Sequence, residues 1–408
     1  MNGTIAIYVH LPWCVSKCPY CDFNSHVRPD RLPETEYVAA LLADLDGDLD
    51  LAAGREVTSV FLGGGTPSLF GTGAIASLLE GLAARLPFRR DAEVTMEANP
   101  GTIEHGRFSG YARAGVNRVS LGAQSFDAAT LRILGRIHGP DEIPAAVAEL
   151  VDAGIDNFNL DLMYALPQQT REAALGDLES ALALGPAHLS RYQLTLEPGT
   201  AFHRRPPPLP DDDLAFTMQQ DGDARLEVAG FVQYEVSGYA RAGRQCRHNL
   251  TYWRFGDYLG IGAGAHGKAT VGDAVIRTEK PRSPRAYLAG GGRTGTIRRT
   301  VPAMDLPFEF MLNAMRLTEG FQLADFERAT GLPGASVTAK LGELESRGLV
   351  HLDAGRYRAS ALGFRFLNDV LAAFLPDENG CRTRGELYTA PARFVSDRDF
   401  HVFVSEVP

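Results

Sequence analysis

The sequence predicts an α/β protein, built as a partial (β/α)6 barrel of the TIM type and followed by a smaller winged-helix-like domain. Two observations lead to this fold class. Between residues 4 and 195, six short β-rich runs alternate with longer amphipathic stretches, and neighbouring parallel strands require such crossover helices. Between residues 305 and 376, the pattern changes to three helices and a short β-ribbon. We therefore expect one large and one small structural unit.

The β-rich runs are short and bounded by turn residues. In chain order they are TIAIYVHL, TSVFLGGG, EVTMEANP, NRVSLGAQ, NFNLDLMY and HLSRYQLTL. Between the first two runs, Tyr37, Leu41, Leu45 and Leu49 recur every four residues, so they share one face of a helix. Since a complete barrel of this type has eight units, six predict a partial, open one.

Changes in composition predict the remaining boundaries. A proline-rich break, RRPPPLPDDD, interrupts the chain at 204–213, so we assign 1–203 to the barrel and 204–304 to an extension of it. The winged-helix-like domain would span 305–376, and the last residues, 377–408, would form an irregular tail around Cys381.

Charge and hydropathy exclude several classes of protein. Forty basic against fifty acidic side chains give a net charge of −10, which repels a phosphate backbone. The winged-helix-like region has nine acidic and seven basic residues, unlike a groove-reading domain with a basic face. No secretory leader or long apolar run is present at the start. We expect a soluble cytoplasmic protein without a nucleic-acid partner or an integral membrane segment, and contact with the inner membrane stays open.

Three cysteines, Cys14, Cys18 and Cys21, crowd into eight residues on the loop after the first predicted strand. Such crowding is typical of metal binding rather than of a disulfide framework. Three thiolates could hold three irons of a [4Fe-4S] cluster while the fourth iron keeps an open position. A structural zinc site, with His26 as the fourth ligand, is the alternative.

Polar or glycine residues end the predicted strands, where α/β barrels collect their sites. They are His10, Gly63 to Gly65, Glu97, Gln124 and Asp161. Glycines at such a position permit close approach of a ligand, although a tight turn uses the same residues. Glu97 could accept hydrogen bonds from an amino group or ribose hydroxyls. Together with the cysteines, this pattern indicates a nucleoside ligand.

Six motifs, read together, carry a family resemblance. They are IYVHLPWCVSKCPYCDFNSH, FLGGGTPSLF, TMEANPG, NRVSLGAQSF, LGRIHG and NLDLMYALPQQ. Over residues 4–376 the chain resembles the HemW-type haem chaperones, a radical S-adenosylmethionine (SAM) family also known as oxygen-independent coproporphyrinogen III oxidase-like proteins. The resemblance implies a radical SAM barrel, a [4Fe-4S] cluster on Cys14, Cys18 and Cys21, and SAM on the open iron.

The resemblance also implies the residues of the SAM site. They are Tyr8, Tyr20, Gly64, Gly65, Thr66, Glu97, Gln124, Arg136 and Asp161. In this arrangement Glu97 and Asp161 would accept from the amino group and ribose, and Arg136 would pair with the SAM carboxylate. An electron from the cluster would then cleave a carbon–sulfur bond of SAM and release a 5′-deoxyadenosyl radical.

Three features separate this chain from the true coproporphyrinogen III oxidases that it also resembles. Those enzymes carry a fourth cysteine where this chain has Phe23, and a longer segment before the cysteine motif, where this chain has thirteen residues. The third feature is the HNxxYW motif that begins at His248. A neutral imidazole can ligate haem iron, so His248 is the first candidate haem ligand, with Cys246 and His266 as weaker ones. A buried core histidine is the simpler interpretation of His248.

We therefore expect a haem chaperone that binds the cluster, SAM and haem and delivers haem to haemoproteins, among them proteins of the respiratory chain. Oxygen-independent coproporphyrinogen III oxidase is the alternative, so catalysis is left open, and a zinc-bearing regulator is the third class. An electron donor that the sequence does not identify is implied as a partner. A homodimer is compatible with the resemblance.

Overall fold

The computed structural model describes residues 3–101 and 106–376. They fall into two compact units. The barrel unit comprises the chain up to Thr251 together with Gly256–Gly272 and Ile276–Arg299. The C-terminal unit comprises Tyr252–Phe255, Asp273–Val275 and the chain from Thr300 onward. The finer four-part division at 203/204, 304/305 and 376/377 stays a prediction, and the tail at 377–408 lies outside the described residues.

Sixteen strands occur in these residues. They are β1 Thr4–Leu11, β2 Trp13–Cys14, β3 His26–Val27, β4 Glu56–Gly64, β5 Phe88–Ala98, β6 Arg118–Gln124, β7 Phe158–Tyr164, β8 His188–Gln193, β9 Val232–Gln233, β10 Gly238–Ala240, β11 Tyr258–Ile261, β12 His266–Val271, β13 Ala274–Glu279, β14 Ile297–Thr300, β15 Val350–Asp353 and β16 Arg356–Ala359.

The described helices number fifteen, with one further 3-10 turn at Pro67–Leu69. They are α1 Glu34–Ala52, α2 Thr72–Ala83, α3 Phe108–Ala114, α4 Ala128–Ile133, α5 Glu142–Asp152, α6 Arg171–Ala183, α7 Ala201–Arg204, α8 Asp212–Val228, α9 Arg247–Trp253, α10 Pro284–Ala289, α11 Leu306–Ala314, α12 Leu323–Thr330, α13 Ala335–Ser346, α14 Ala361–Arg365 and α15 Leu367–Ala372. In the described part of the chain, no helix combines the length and apolar character needed to cross a membrane.

One twelve-stranded sheet organises the barrel unit, in the order β14-β13-β12-β11-β1-β4-β5-β6-β7-β8-β10-β9. The six strands β1, β4, β5, β6, β7 and β8 run parallel, which confirms the predicted partial barrel. The sheet has more strands than expected, because strands from 204–304 are added at both edges. At one edge β11 pairs in parallel with β1, and at the other β10 pairs antiparallel with β8.

The two faces of the parallel sheet differ in composition. Along β5, Val94, Met96 and Ala98 join the main hydrophobic core, whereas the alternate residues Glu93 and Glu97 lie on the other face. The apolar face packs against the helices. On α1, Tyr37, Leu41 and Leu45 are fully buried and Leu49 is partly buried, as their four-residue spacing predicts. The polar face is left to line the interior of the barrel.

The C-terminal unit has a hydrophobic core of its own. Phe310 of α11 meets Phe326 of α12 edge to face, with ring centroids 5.2 Å apart, and Leu341 of α13 belongs to the same core. The antiparallel ribbon β15–β16 follows. Three helices and a ribbon confirm the winged-helix-like prediction, while α14 and α15 are additions that the sequence pattern did not reveal.

Candidate functional site

The cysteine motif lies on a loop between two short strands that pair with each other. Cys14 ends β2, and Cys18 and Cys21 follow before β3, which pairs in parallel with β2. The amide of Cys21 donates to the carbonyl of Cys18 (3.2 Å), and the amide of Arg28 donates to the carbonyl of Cys14 (2.8 Å). All three thiols are free and partly buried. The pairing of β2 with β3 therefore gathers them in one turn of chain.

Polar groups surround these thiols. The Ser25 hydroxyl lies 3.7 Å from Cys21 Sγ, and the guanidinium of Arg136 lies 3.8 Å from Cys18 Sγ. Burial raises the pKa of the Cys21 thiol to about 11 and raises the pKa of Cys14 as well, because burial disfavours the charged form. A bound metal centre would reverse that preference through its own positive charge.

The donor set consists of soft thiolates, which suit an iron–sulfur cluster. Within residues 3–101 and 106–376, no three His, Cys, Asp or Glu side chains are grouped closely enough to hold one metal ion. His26, the fourth ligand of the zinc alternative, instead places its Nε2 3.3 Å from Asn24 Oδ1. Each cysteine of a cubane binds a different iron, so its three sulfurs need not converge on one point. The cysteine loop is therefore compatible with a [4Fe-4S] cluster.

The glycine turn after β4 packs directly against the start of the cysteine loop. The amide of Gly65 donates to Leu11 O (2.9 Å), and the amide of Thr66 donates to Trp13 O (2.8 Å). A Cβ on Gly65 would lie 2.6 Å from that Trp13 oxygen, closer than any side chain tolerates. Gly64 donates its amide to Glu97 Oε2 at 3.0 Å. The structure gives these glycines a packing role, and their contact with SAM stays a prediction.

Two carboxyl groups are partly exposed, Glu97 beside the C-terminal end of β5 and Asp161 in the middle of β7, where the sequence predicts a strand end. Asp161 accepts from Asn159 Nδ2 at 2.7 Å and from Ser120 Oγ at 3.2 Å. Burial, followed by the charge of Asp161, raises the pKa of Glu97 to about 8, and burial also raises the pKa of Asp161. A carboxyl group whose ionisation is opposed by burial and by a neighbouring acid provides a place for a positively charged ligand group.

Gln124 and Arg136 occupy the end of β6 and the loop after α4. Gln124 has a φ of 66°, and its Oε1 accepts from the Tyr192 hydroxyl at 2.8 Å. Arg136 donates to the carbonyl of Gly122 at 2.7 Å and to the side-chain oxygen of Asn99. Tyr192 and Asn99 were missed by the sequence prediction. Both lie near strand ends, of β8 and β5 respectively, and this position could have indicated them as site residues.

The remaining predicted SAM residues lie around the same loop. The Tyr8 hydroxyl is buried and 3.0 Å from His10 Nδ1, while Tyr20 packs near the ring of Phe202, with centroids 6.5 Å apart. Thr66 Oγ1 accepts from Asn99 Nδ2 at 3.0 Å. The contacts of Tyr8, Tyr20 and Thr66 with a ligand stay predictions.

His248, near the start of α9, lies inside the barrel unit with 1% of its surface exposed. Its Nδ1 is 3.0 Å from Ser59 Oγ, and its ring lies 5.2 Å from that of Phe61 and 6.4 Å from that of Tyr8. Burial lowers its pKa to about 3, so the imidazole is neutral. As folded, no edge of the ring is open to a macrocycle. The haem contact of His248 stays a prediction that requires α9 to move.

The two weaker haem candidates differ in accessibility. Cys246 is fully buried, its Sγ donates to Glu93 Oε1 at 3.5 Å, and burial raises its pKa to about 12. His266, at the start of β12, is only partly buried, and burial lowers its pKa to about 3. Of the two, only the neutral imidazole of His266 has an open side.

Comparison with known proteins places the whole described fold in one family. Residues 8–181 match the radical SAM superfamily, and residues 301–366 match the HemN C-terminal domain. The haem chaperone HemW of Escherichia coli is 50% identical over 374 residues, covering 91% of this chain and 98% of the relative. HemW of Haemophilus influenzae is 46% identical over 379 residues, covering 92% and 98%.

A solved structure agrees in fold. Coproporphyrinogen III oxidase (HemN) of Escherichia coli, a radical SAM enzyme, superposes with a TM-score of 0.76 at 24% identity, covering 91% of this chain and 89% of that one. At this identity the likeness shows the fold alone. The family predicted from the motifs is confirmed by the relatives above: the chain belongs to the HemW family of haem chaperones, within the radical SAM superfamily.

Proposed function

We propose that this protein binds haem and delivers it to recipient haemoproteins, and that a [4Fe-4S] cluster and SAM at the strand ends take part. The observation that carries the proposal is the 50% identity over nearly the whole length of a relative named for this role. The site supports it, since three free thiols share one loop, the Arg136 guanidinium lies beside Cys18, and the charge of Asp161 opposes the ionisation of Glu97.

Each group has a defined task in this proposal. Cys14, Cys18 and Cys21 would hold the cluster, which when bound supplies one electron to the sulfonium of SAM. Before a ligand binds, Glu97 would hold a proton at neutral pH, because burial and the charge of Asp161 raise its pKa to about 8. A cationic amino group placed beside Glu97 and Asp161 would favour release of that proton and an ion pair in its place.

Phe23 argues for delivery of haem rather than for synthesis of a porphyrin. It occupies the position where the resembling oxidases carry a fourth cysteine, so this chain lacks that thiol. Its carbonyl instead accepts from Lys17 Nζ at 3.0 Å and so closes the cysteine loop. Cluster thiolates require a reducing compartment, so we place the activity in the cytoplasm, with haemoproteins of the respiratory chain as the proposed recipients.

One reconstituted sample tests these points side by side. Anaerobically prepared protein should contain about four irons and four sulfides per chain, bind haem and transfer it to an apo-haemoprotein. A Cys14→Ala variant shows whether transfer depends on the cluster. Conversion of coproporphyrinogen III to protoporphyrinogen IX with consumption of SAM would instead establish the oxidase activity. One zinc per chain without sulfide would refute the cluster.

A further inference from the structure

The side chain of Asn24 joins the end of the cysteine loop to the segments around Ala263 and Arg282. It lies three residues beyond Cys21, and its Nδ2 donates to the carbonyls of Ala263 (2.9 Å) and Arg282 (3.0 Å). The backbone carbonyl of Asn24 accepts a hydrogen bond from His10 Nε2 at 3.0 Å. An amide nitrogen has two hydrogens, and here both are used on backbone carbonyls that lie more than 200 residues away. The orientation of the amide is thereby fixed.

The segment at Ala263 and Gly264 leaves space for the Asn24 side chain. Ala263 lies just after β11, and its amide donates to the Tyr37 hydroxyl at 2.9 Å. The residue is fully buried. The next residue is Gly264, with a φ of 84°. A Cβ at that position would collide with the Asn24 amide. Glycine is therefore required there both by the backbone conformation and by the space that Asn24 fills.

His10 fixes the backbone of Asn24 from the opposite side. The imidazole is 1% exposed, and its Nδ1 lies 3.0 Å from the Tyr8 hydroxyl. Because Nδ1 accepts from that hydroxyl, Nε2 carries the hydrogen and donates to the Asn24 carbonyl. Burial lowers the pKa of His10 to about 4, which keeps the ring neutral and this tautomer in place. Both the main chain and the side chain of Asn24 are thus held.

We propose that Asn24 is the positioning residue of the cluster: its amide clamps the cysteine loop to the Ala263 and Arg282 carbonyls and so holds Cys14, Cys18 and Cys21 ready for the metal. The inference rests on the proposed function only for the presence of a cluster on these cysteines. Asn24 is not itself a ligand, since soft thiolates rather than amides suit iron–sulfur sites. Its effect reaches the cluster through the geometry of the loop.

Substitution by aspartate isolates the clamp. Asn24→Asp keeps the shape of the side chain and the oxygen near His26. It replaces the amide nitrogen, with its two hydrogens, by an oxygen that faces the carbonyls of Ala263 and Arg282. The matched control, His26→Ala, removes the 3.3 Å partner of Asn24 Oδ1 and leaves both donors. A second variant, Asn24→Ser, is uncharged and shorter, and it separates loss of the clamp from the effect of an added charge.

The measurements are the rate of cluster loss to an iron chelator, the electron paramagnetic resonance spectrum of the reduced cluster, and thermal unfolding of the cluster-free protein. With two hydrogen bonds removed, cluster loss should be about 10- to 30-fold faster in Asn24→Asp. Asn24→Ser should lie between this variant and the wild type, and both should show altered spectra. His26→Ala should stay within about twofold of the wild type, and the unfolding temperature of the cluster-free variants should be unchanged.

The clamp is refuted if Asn24→Asp and Asn24→Ser lose the cluster at the wild-type rate with the wild-type spectrum. It is equally refuted if faster loss simply parallels a lower unfolding temperature, because Asn24 would then stabilise the fold rather than the loop. A wild-type protein that takes up no iron and sulfide would overturn this inference together with the cluster. Failure of haem transfer by a protein with normal cluster behaviour would contradict the proposed function alone.

Discussion

Arg136 should set the reduction potential of the cluster, through the 3.8 Å contact of its guanidinium with Cys18 Sγ. Two unit charges about 4 Å apart interact by about 4 kcal/mol at an effective dielectric constant near 20. An added electron spreads over the whole cluster, so about half of this energy, about 2 kcal/mol, should act on the reduction step. For one electron, about 59 mV corresponds to about 1.4 kcal/mol. We therefore expect Arg136→Gln to lower the potential by about 90 mV.

A redox titration of the loaded protein, recorded in the absence of SAM, measures this shift. The sign follows because a positive charge favours the more negative, reduced state. Arg136→Lys keeps the charge and should stay within about 30 mV of the wild type. A potential of Arg136→Gln within about 20 mV of the wild type, accompanied by weaker binding of SAM, would refute the reasoning. It would assign Arg136 to the SAM carboxylate alone.

Three further predictions concern the protein without its cofactors. The folded protein holds the Glu97 proton up to about pH 8, whereas the unfolded chain releases it near pH 4.5. The free energy of unfolding should therefore decrease as the pH rises from 4.5 to 8. In thermal melts, Glu97→Gln should lose less stability than the wild type between about pH 5 and pH 8. Gly65→Ala should cost about 1 to 3 kcal/mol in urea unfolding, because its Cβ would press on the Trp13 carbonyl; a smaller loss would show that the turn yields easily. His248→Ala should cost about 1 to 3 kcal/mol, since it opens a cavity and removes the partner of Ser59; full stability would contradict a core role.

The parallel sheet was predictable because its signal is local. In β5, β6 and β7 apolar residues occupy every second position, as Val94 and Met96 do in β5, and helix α1 carries an apolar stripe. The edge strands were not predictable in the same way. β11 has four residues and β10 has three, too few for an alternating pattern, and the pairing of β11 with β1 joins segments about 250 residues apart.

The residue types of the candidate site were also predictable, but their partners were not. Cysteine spacing predicts Cys14 as a site residue, and the ends of the β-rich runs predict Glu97 and Asp161, without any knowledge of the fold. Asn24 carries no such signal, because the carbonyl of Arg282 that it binds lies 258 residues along the chain. Gly65 shows a second reason why sequence alone is insufficient. Close approach of a ligand and close approach of a neighbouring backbone would both require glycine, and only the structure reveals that the backbone of Trp13 lies there.

The charges at the strand ends explain why a zwitterionic ligand suits this site. Glu97 and Asp161 form an acidic side in which burial and the charge of Asp161 oppose the ionisation of Glu97, so a ligand with a cationic amino group and a sulfonium would lower the electrostatic energy there. Arg136 supplies the opposite charge beside Cys18. SAM carries both kinds of group on one short chain. We therefore predict that a ligand that joins the acids to Arg136 passes next to the cysteine loop, as the proposed transfer of an electron from the cluster to the sulfonium requires.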